Sequence, residues 1–268
     1  MHRALRHLRA SATDARHARQ GRRASTRREP TWAKADEGVW CYGLDAAALA
    51  ATTARARSKG LFRDAAFVHP KTLNYELPTR GAPEIAIAGR SNVGKSTLVG
   101  ALLGDRKLAR TSKTPGCTTS VNFFSVGGPA ARASCFVVDL PGVGHARRSK
   151  DERSAFGAAS AAYLANREKH VLREALVLCD ARRGPCADLL DAFAALRVSH
   201  RVVLTKADLA TPADVASALS ATRDRLAAAK HACLLPVVHV VSAKTGAGVA
   251  ALRAHIAANL TDEDATPD

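Results

Sequence analysis

The run GRSNVGKS, from Gly89 to Ser96, constrains the fold of this chain more than any other feature. It fits the pattern G-x-x-x-x-G-K-[ST] and lies between a short apolar segment typical of a strand and a stretch typical of a helix. Its glycines let backbone N–H groups and the helix N-terminus approach phosphate groups closely. The sequence therefore predicts a strand, a phosphate-binding loop and a helix. The residues expected to contact the phosphates are Gly89, Arg90, Ser91, Asn92, Val93, Gly94, Lys95, Ser96 and Thr97.

The segment Asp139-Leu140-Pro141-Gly142 supplies an acidic residue for the same site. A D-x-P-G sequence alone is typical of an ordinary turn, but here it ends an apolar segment 44 residues after Lys95. We expect Lys95 to reach the β- and γ-phosphates and Ser96 to ligate Mg²⁺. Asp139 is expected to hold the same ion through a water, and the Gly142 backbone N–H to approach the γ-phosphate.

Two further segments predict recognition of a guanine base. In Thr205-Lys206-Ala207-Asp208, which follows another apolar segment, Asp208 would accept hydrogen bonds from guanine N1–H and the exocyclic amine. Adenine lacks matching donors and would leave the carboxylate unpaired, which favours GTP over ATP. The Lys206 stem would lie across the base, and the loop at Ser242-Ala243-Lys244 would place its backbone against the guanine carbonyl. Each segment is also compatible with an ordinary capped helix start.

A candidate switch loop lies between the first helix of this unit and the strand around Asn122. Its sequence, Thr114-Pro115-Gly116-Cys117-Thr118-Thr119, stands where a loop can close on Mg²⁺ and the γ-phosphate, and we assign Thr118 to that contact. The alternative is a surface turn made by Pro115 and Gly116. The expected catalytic residues are Lys95, Thr118 and Gly142, and the expected metal ligands are Ser96, Thr118 and Asp139.

Short β-type segments alternate with helical stretches along the chain. The predicted strands are Glu84 to Ala88, Ser120 to Val126, Ala133 to Val138, Glu174 to Cys179, Arg201 to Leu204 and Pro236 to Val241. The predicted helices are Lys95 to Leu103, Asp151 to Glu168, Cys186 to Leu196, Ala213 to Ala229 and Val249 to Asn259. The alternation predicts an α/β fold with a mostly parallel six-stranded sheet flanked by helices. Together with the phosphate-binding and guanine-binding motifs, it indicates a P-loop NTPase of the Ras-like GTPase type. Ligands bind such sheets at the carboxyl ends of the strands.

Positive charge is concentrated at the N-terminus but extends over the whole chain. The formal net charge is +16, of which residues 1–30 contribute +7 through nine arginines and two acids. This arginine-rich, acid-poor segment is typical of an organellar transit peptide, with the mitochondrial matrix favoured over the plastid stroma, or of a disordered basic tail that binds RNA. The remaining +9 favours a polyanionic partner.

The six cysteines form no C-x-x-C pair, so the sequence indicates neither a disulfide framework nor a zinc site. The longest apolar stretch, around Ala232 to Ala243, is shorter than the roughly 18 to 20 residues that a membrane-spanning helix requires. We therefore expect no membrane insertion. Residues 31–61 are interpreted as a variable extension with helical character near Leu44 to Ala56, and residues 261–268 as an acidic tail.

With these residues in place, the chain resembles the EngB (YihA/YsxC) family of ribosome-biogenesis GTPases over residues 62–260. The resemblance departs from the family pattern at Cys117, where arginine is usual, and at Val143-Gly144-His145, where Tyr-Gly-Tyr is usual. The matching segments are Ile87 to Ser96, Ala109 to Gly116, Asn122 to Phe124, Asp139 to Gly142, Tyr163-Leu164, Asp180 to Arg182 and Thr205 to Asp208.

The resemblance implies binding of GTP, GDP and Mg²⁺, hydrolysis of GTP, and a role in assembling the large ribosomal subunit. With an import signal, the expected partner is the large-subunit precursor of an organelle, bound through rRNA under nucleotide control by a protein that is monomeric when free. Asn92 resembles the potassium-binding asparagine of related GTPases, which adds K⁺ as a candidate ligand.

Val143 occupies the place of the water-orienting glutamine of Ras-like enzymes, so intrinsic hydrolysis is expected to be slow and partner-stimulated. Two alternatives stay open. The first is a scaffold that binds GTP or GDP in a ribosomal precursor without hydrolysing it. The second is a GTPase of tRNA modification or of membranes, although the sequence shows neither a modification domain nor an amphipathic membrane helix.

Overall fold

The computed structural model describes residues 31–57, 62, 64–68, 81–105, 107–108, 121–142, 157–167, 171–228 and 232–260. The basic segment 1–30, the acidic tail 261–268, Thr118 and Val143 lie outside these residues. The expectations for them, and the division into segments at residues 30, 61 and 260, stay predictions.

One mixed sheet forms the centre of the molecule. Its strands are β1 (Trp32–Asp36), β2 (Val39–Tyr42), β3 (Ala66–Val68), β4 (Glu84–Gly89), β5 (Asn122–Val126), β6 (Cys135–Asp139), β7 (Leu172–Asp180), β8 (His200–Thr205) and β9 (Val237–Val240). Their order across the sheet is β1-β2-β9-β8-β7-β4-β6-β5-β3. The predicted number of six strands was wrong, because the described residues hold nine. All six predicted strands are present as β4 to β9, and the short strands β1, β2 and β3 extend the sheet at its edges.

The five central strands run parallel and the outer strands antiparallel. Strands β9, β8, β7, β4 and β6 pair in parallel, whereas β5, β3, β2 and β1 pair antiparallel. Every residue of β4, β6 and β8 is buried, as expected for parallel strands that are covered on both faces. The predicted α/β fold with a mostly parallel central sheet is confirmed.

Helices cover both faces of the sheet. In the described part of the chain they are α1 (Ala46–Arg57), α2 (Lys95–Leu103), α3 (Ala158–Asn166), α4 (Ala187–Ala195), α5 (Pro212–Ala227) and α6 (Val249–Leu260). Strand β4 shows why two layers form: Ile85 and Ile87 join the core on one face, and Ala86 and Ala88 join the core on the other. None of the described helices has the length and hydropathy needed to cross a membrane.

Residues 32–57 belong to the sheet and its helical cover. Strand β2 pairs with β9, with Val39 opposite His239, and α1 packs against α6. A third core cluster contains Val39, Cys41 and Leu49 from this segment together with side chains of β9 and α6. The helical character near residues 44–56 was predicted, but the hairpin of β1 and β2 was not.

The carboxyl ends of the parallel strands meet at one edge of the sheet. Gly89 ends β4, Asp139 ends β6, Asp180 ends β7 and Thr205 ends β8. The register places Ile87 beside Asp139 and Asp180 beside Thr205. The segments predicted to bind nucleotide therefore converge on a single edge.

Candidate nucleotide-binding site

The loop between β4 and α2 has the backbone shape of a phosphate cradle. Gly94 adopts φ +98°, and Asn92 adopts φ +63° in the left-handed region. A Cβ at Gly89 would lie 2.7 Å from Val93 Cγ1 and 3.2 Å from the Leu178 carbonyl oxygen, so only glycine allows so tight a turn. Helix α2 then begins at Lys95 with no side-chain cap, so the N–H groups of its first turn lie at the end of the loop, where the phosphates are expected.

Lys95 and Asp139 form an ion pair beside this loop. The Lys95 ammonium donates a hydrogen bond to Asp139 Oδ1, and both side chains are largely buried. Binding of a magnesium nucleotide would give each group a new partner, because phosphate attracts the ammonium and Mg²⁺ prefers carboxylate and hydroxyl oxygens. Ser96, in the first turn of α2, supplies the hydroxyl. The donor set therefore fits Mg²⁺, although no group of three or more His, Cys, Asp or Glu residues capable of holding a metal occurs among the residues described.

Gly142 lies against the phosphate loop. A Cβ on Gly142 would come within 3.5 Å of Ser91 Oγ and 3.7 Å of the Ser91 backbone nitrogen. The segment that begins with Asp139 thus borders the loop on the side where a terminal phosphate would lie. The third predicted catalytic residue, Thr118, is outside the described residues.

The two segments predicted to bind the base meet at Asp208 and Ser242. Ser242 Oγ donates to Asp208 Oδ1 at 2.7 Å and accepts from the Thr245 backbone N–H at 3.2 Å. The Ser242 hydrogen bond lowers the pKa of Asp208 below its ordinary value, so the carboxylate is ionised at neutral pH. An exposed, ionised acceptor held in this way suits the two donors on one edge of guanine.

Thr205 connects the segment predicted to bind the base to the predicted phosphate loop. Its Oγ1 lies 2.7 Å from the Val93 carbonyl oxygen and 3.2 Å from the Cys179 carbonyl oxygen, and the side chain is buried. The threonine at this position therefore joins β8 directly to the phosphate cradle.

Lys206 reaches across the phosphate loop towards β7. Its backbone is left-handed, with φ +57°, and a Cβ on Gly94 would lie 4.0 Å from its Cε, so the stem passes over the loop. Its Nζ lies 3.1 Å from Asp180 Oδ2. The side chain thus covers the place where the base is expected to stack.

Sequence reasoning missed the structural role of Asp180 and Arg182 in the site. Arg182 donates to both carboxylate oxygens of Asp180, at 2.9 and 2.7 Å, and its hydrogen bonds hold the pKa of Asp180 well below its ordinary range. Because Asp180 also accepts from Lys206, this carboxylate fixes the lysine stem. An acidic residue at the end of a parallel strand, as at Asp139, was the signal in the sequence.

The remaining predicted residues occupy different parts of the site. Ala243 and Lys244 lie in the loop after β9, where the Ser242 N–H donates to the Ala247 carbonyl at 2.9 Å. Arg90 directs its guanidinium away to Asp188 on α4 at 2.6 Å, and both side chains are mostly exposed. The charge of Arg90 therefore pairs with α4, and a phosphate contact of this residue would come from its backbone.

The known proteins that this chain resembles include GTPases and GTP-binding proteins. A family described as "50S ribosome-binding GTPase" matches residues 84–206. A probable GTP-binding protein EngB of Rhodospirillum rubrum is 43% identical over 185 residues, 68% of this chain and 78% of the relative. Another, of Hyphomonas neptunium, is 40% identical over 186 residues, 68% of this chain and 81% of the relative. The crystal structure of a probable GTP-binding protein engB aligns with a TM-score of 0.49 and 21% identity, covering 66% of this chain and 98% of that one.

The sequence relatives carry the assignment, since their identity of 40% or more extends over about two thirds of this chain and most of their own length. Guanine-nucleotide binding and GTP hydrolysis are general properties of the matched GTPase family. This chain belongs to the EngB family of GTP-binding proteins.

Proposed function

We propose that this protein is a GTP-hydrolysing switch that assists assembly of the large ribosomal subunit of an organelle, with nucleotide state controlling its binding to rRNA. One observation carries the switch: the ionised Asp208, held by Ser242 at 2.7 Å, lies on the same sheet edge as the Lys95–Asp139 pair. The group proposed to bind guanine and the groups proposed to bind phosphate and metal thus lie at one site.

The chain's own groups suggest how the site acts on GTP. Lys95 would neutralise charge on the β- and γ-phosphates as water attacks the γ-phosphorus and the bond to the bridging oxygen breaks. Ser96 and Asp139 would hold Mg²⁺, which supplies further neutralisation of that charge. Thr118 and the Gly142 N–H are proposed to contact the γ-phosphate and to lose that contact when phosphate leaves.

The hydrolysis itself is proposed to be slow without a partner. Residue 143 is valine, which has no group to orient the attacking water. We expect an unassisted rate no higher than the order of 10⁻⁴ s⁻¹, as for Ras-type turnover without an activating protein. This residue also favours the second candidate, a scaffold that binds GTP or GDP without cleaving it.

Charge supports an RNA partner. Outside residues 1–30 the chain carries a net charge of +9, and basic residues flank both predicted switch segments: Arg106, Lys107, Arg110 and Lys113 before Thr118, and Arg147, Arg148 and Lys150 after Gly142. Neutralisation of phosphates by such residues gives affinity that does not depend on sequence. Because the charges lie on segments proposed to respond to nucleotide, GTP and GDP would change the affinity for rRNA.

The location and the monovalent ion are part of the same proposal. The arginine-rich residues 1–30 favour the mitochondrial matrix, with the plastid stroma as the alternative. Asn92 is proposed to bind K⁺ near the phosphates. Equal turnover in Na⁺ and K⁺ buffers would contradict that part.

Co-sedimentation tests the proposed function. The tagged full chain would be centrifuged with organellar large-subunit precursors in GTP and in GDP, with Asp208→Ala as a variant impaired in nucleotide binding. We expect association in one nucleotide state and weak association in the other, and no nucleotide dependence for Asp208→Ala. Absence of the chain from the precursor fractions in both states would overturn the assembly role.

A further inference from the structure

We propose that residues 32–57 position the guanine-binding loop, residues 242–248, through close contact of Gly38 with the end of β9. The inference rests on the proposed role of that loop in base binding. It assigns a part in nucleotide affinity to a segment that lies outside the predicted GTPase domain, residues 62–260.

At this contact of Gly38, three backbone segments lie within van der Waals distance of one another. Gly38, in the turn between β1 and β2, has φ +67°, and its carbonyl accepts from the Val240 N–H at 2.7 Å. A Cβ on Gly38 would lie 2.4 Å from the Val240 carbonyl oxygen and 3.3 Å from Gly248 Cα. A Cβ on Gly248 would lie 2.4 Å from the same oxygen. The turn, the end of β9 and the start of α6 therefore leave no room for a side chain at either glycine.

The end of β9 holds both base-binding elements. The Ala207 N–H donates to the Val241 carbonyl at 3.1 Å, which fixes the turn that carries Asp208. The next residue, Ser242, donates to Asp208 and begins the loop. A shift of Val240 and its neighbours would therefore displace the carboxylate that reads guanine together with the loop expected to face its carbonyl.

The hairpin is itself anchored to the rest of the fold. The Trp32 indole N–H donates to the Leu219 carbonyl of α5 at 2.9 Å, and the Tyr42 N–H donates to the Pro236 carbonyl at 3.0 Å. The Trp32 and Tyr42 rings lie 5.3 Å apart. Helix α1 packs on α6, which begins at Val249, directly after the loop. The segment 32–57 thus contacts the elements on both sides of the guanine-binding loop.

A loop held in its binding shape binds more tightly, because less conformational freedom is lost when the ligand arrives. We expect the contribution to act mainly on the base, since Gly38 contacts the end of β9, whereas the phosphate loop follows β4, three strands away from β9 in the sheet. A substitution at Gly38 should therefore weaken the binding of GDP and leave the affinity for a phosphate ligand without a base almost unchanged.

Two alanine variants of the full chain test this prediction. Gly38→Ala introduces the close contact with Val240, whereas the control Gly81→Ala has a similar φ of +60° and no atom within 4 Å of its Cβ. GDP and tripolyphosphate would be measured by displacement of a fluorescent GDP. We expect Gly38→Ala to bind GDP about five- to tenfold more weakly than the unmodified chain, the equivalent of about one hydrogen bond. Its affinity for tripolyphosphate should stay within about twofold of that of the unmodified chain. Gly81→Ala should bind both ligands as the unmodified chain does.

Equal GDP affinity in Gly38→Ala and the unmodified chain would overturn the inference, as would an equal loss for tripolyphosphate. Failure of the unmodified chain to bind GDP would instead overturn the proposed function, and this inference with it.

Hydrogen exchange on the unmodified chain provides a test that does not depend on the variant folding. GDP should slow exchange of the Val240 N–H, which is bonded to Gly38, as well as of the loop amides. The Ser134 N–H, bonded to Val126 at 2.9 Å on the far side of the sheet, serves as the reference. A response confined to residues 242–248 would show that the hairpin is not coupled to the loop.

Discussion

At the scale of single residues, the carboxylate of Asp208 is the group proposed to set base preference. It is ionised, exposed and oriented by Ser242 Oγ at 2.7 Å. Guanine offers it two donors, whereas xanthine offers a carbonyl in place of the amine. Exchange of one carboxylate oxygen for an amide nitrogen should therefore change which base is preferred.

Asp208→Asn should lower GDP affinity about a hundredfold, because a charge-assisted pair of hydrogen bonds is lost. The asparagine amide can donate to the xanthine carbonyl while its oxygen accepts from N1–H, so xanthosine diphosphate should become the better ligand. Isothermal titration calorimetry with GDP and with xanthosine diphosphate measures this change of preference. Asp224→Asn, at an exposed aspartate paired with Arg223, is the control. Unchanged preference in Asp208→Asn would show that Asp208 does not read the base.

Thr205 makes a different residue-scale contribution, because its hydroxyl bonds the Val93 carbonyl of the phosphate loop at 2.7 Å. Thr205→Val removes this donor and should cost about 1 to 3 kcal/mol of unfolding free energy, with a loss of GDP affinity. Thr222→Val is the matched control, since Thr222 is also buried and donates to a carbonyl, that of Ala218, at 2.8 Å.

Urea unfolding and GDP titration of the two threonine variants separate stability from binding. Both should be destabilised, and only Thr205→Val should bind GDP more weakly. Equal GDP affinity in the two variants would contradict a role for Thr205 in shaping the loop.

At the scale of elements, β7, β8, β9 and α6 enclose a buried polar cluster. Arg201 is ion-paired with Glu174, Asn259 donates to Glu174 at 2.7 Å, and Arg201 lies 3.1 Å from His255 Nδ1. His239 packs edge-on against His255, and neither of its ring nitrogens has a hydrogen-bond partner among the described residues. Burial lowers the pKa of His239 well below its ordinary value, and the nearby His255 and Arg201 lower it further.

This cluster predicts loss of stability in mild acid. The unfolded chain takes up a proton on His239 as pH falls through about 6.5, while the folded chain does not, so the unfolding free energy falls below that pH. The slope from this one group approaches about 1.4 kcal/mol per pH unit. The unfolding free energy, measured by urea titration, should decrease less between pH 7 and pH 5.5 for the His239→Phe variant than for the unmodified chain. Parallel curves for the two proteins would contradict the assignment.

The sequence predicts those elements that a local run of residues defines, and it misses those that depend on a partner strand distant in the chain. Strands β4 to β9 and helix α2 were predicted because each is a continuous apolar or helical run. Strands β1 and β2 were missed because the run WAKAD of β1 alternates weakly, and because β1 pairs with β2, which in turn pairs with β9, about 200 residues away. Motif spacing likewise predicted Lys95 and Asp139 together, whereas the link from Lys206 to Asp180 depends on β7 lying beside β8.

At the scale of the whole molecule, one sheet edge combines the groups proposed to bind phosphate, metal and base, and the net charge of +9 outside residues 1–30 favours a polyanionic partner. The chemistry expected of this edge is incomplete without a group that orients water, since residue 143 is valine. A large-subunit precursor that binds the basic surface is the proposed source of that missing contribution.

The most direct test is single-turnover cleavage of GTP by the full chain, measured with and without organellar large-subunit precursors. We expect cleavage on the order of 10⁻⁴ s⁻¹ or slower for the chain alone, and acceleration of at least about tenfold when precursors are added. Bound GTP that stays uncleaved under both conditions, or a rate that precursors leave unchanged, would contradict a partner-stimulated GTP switch.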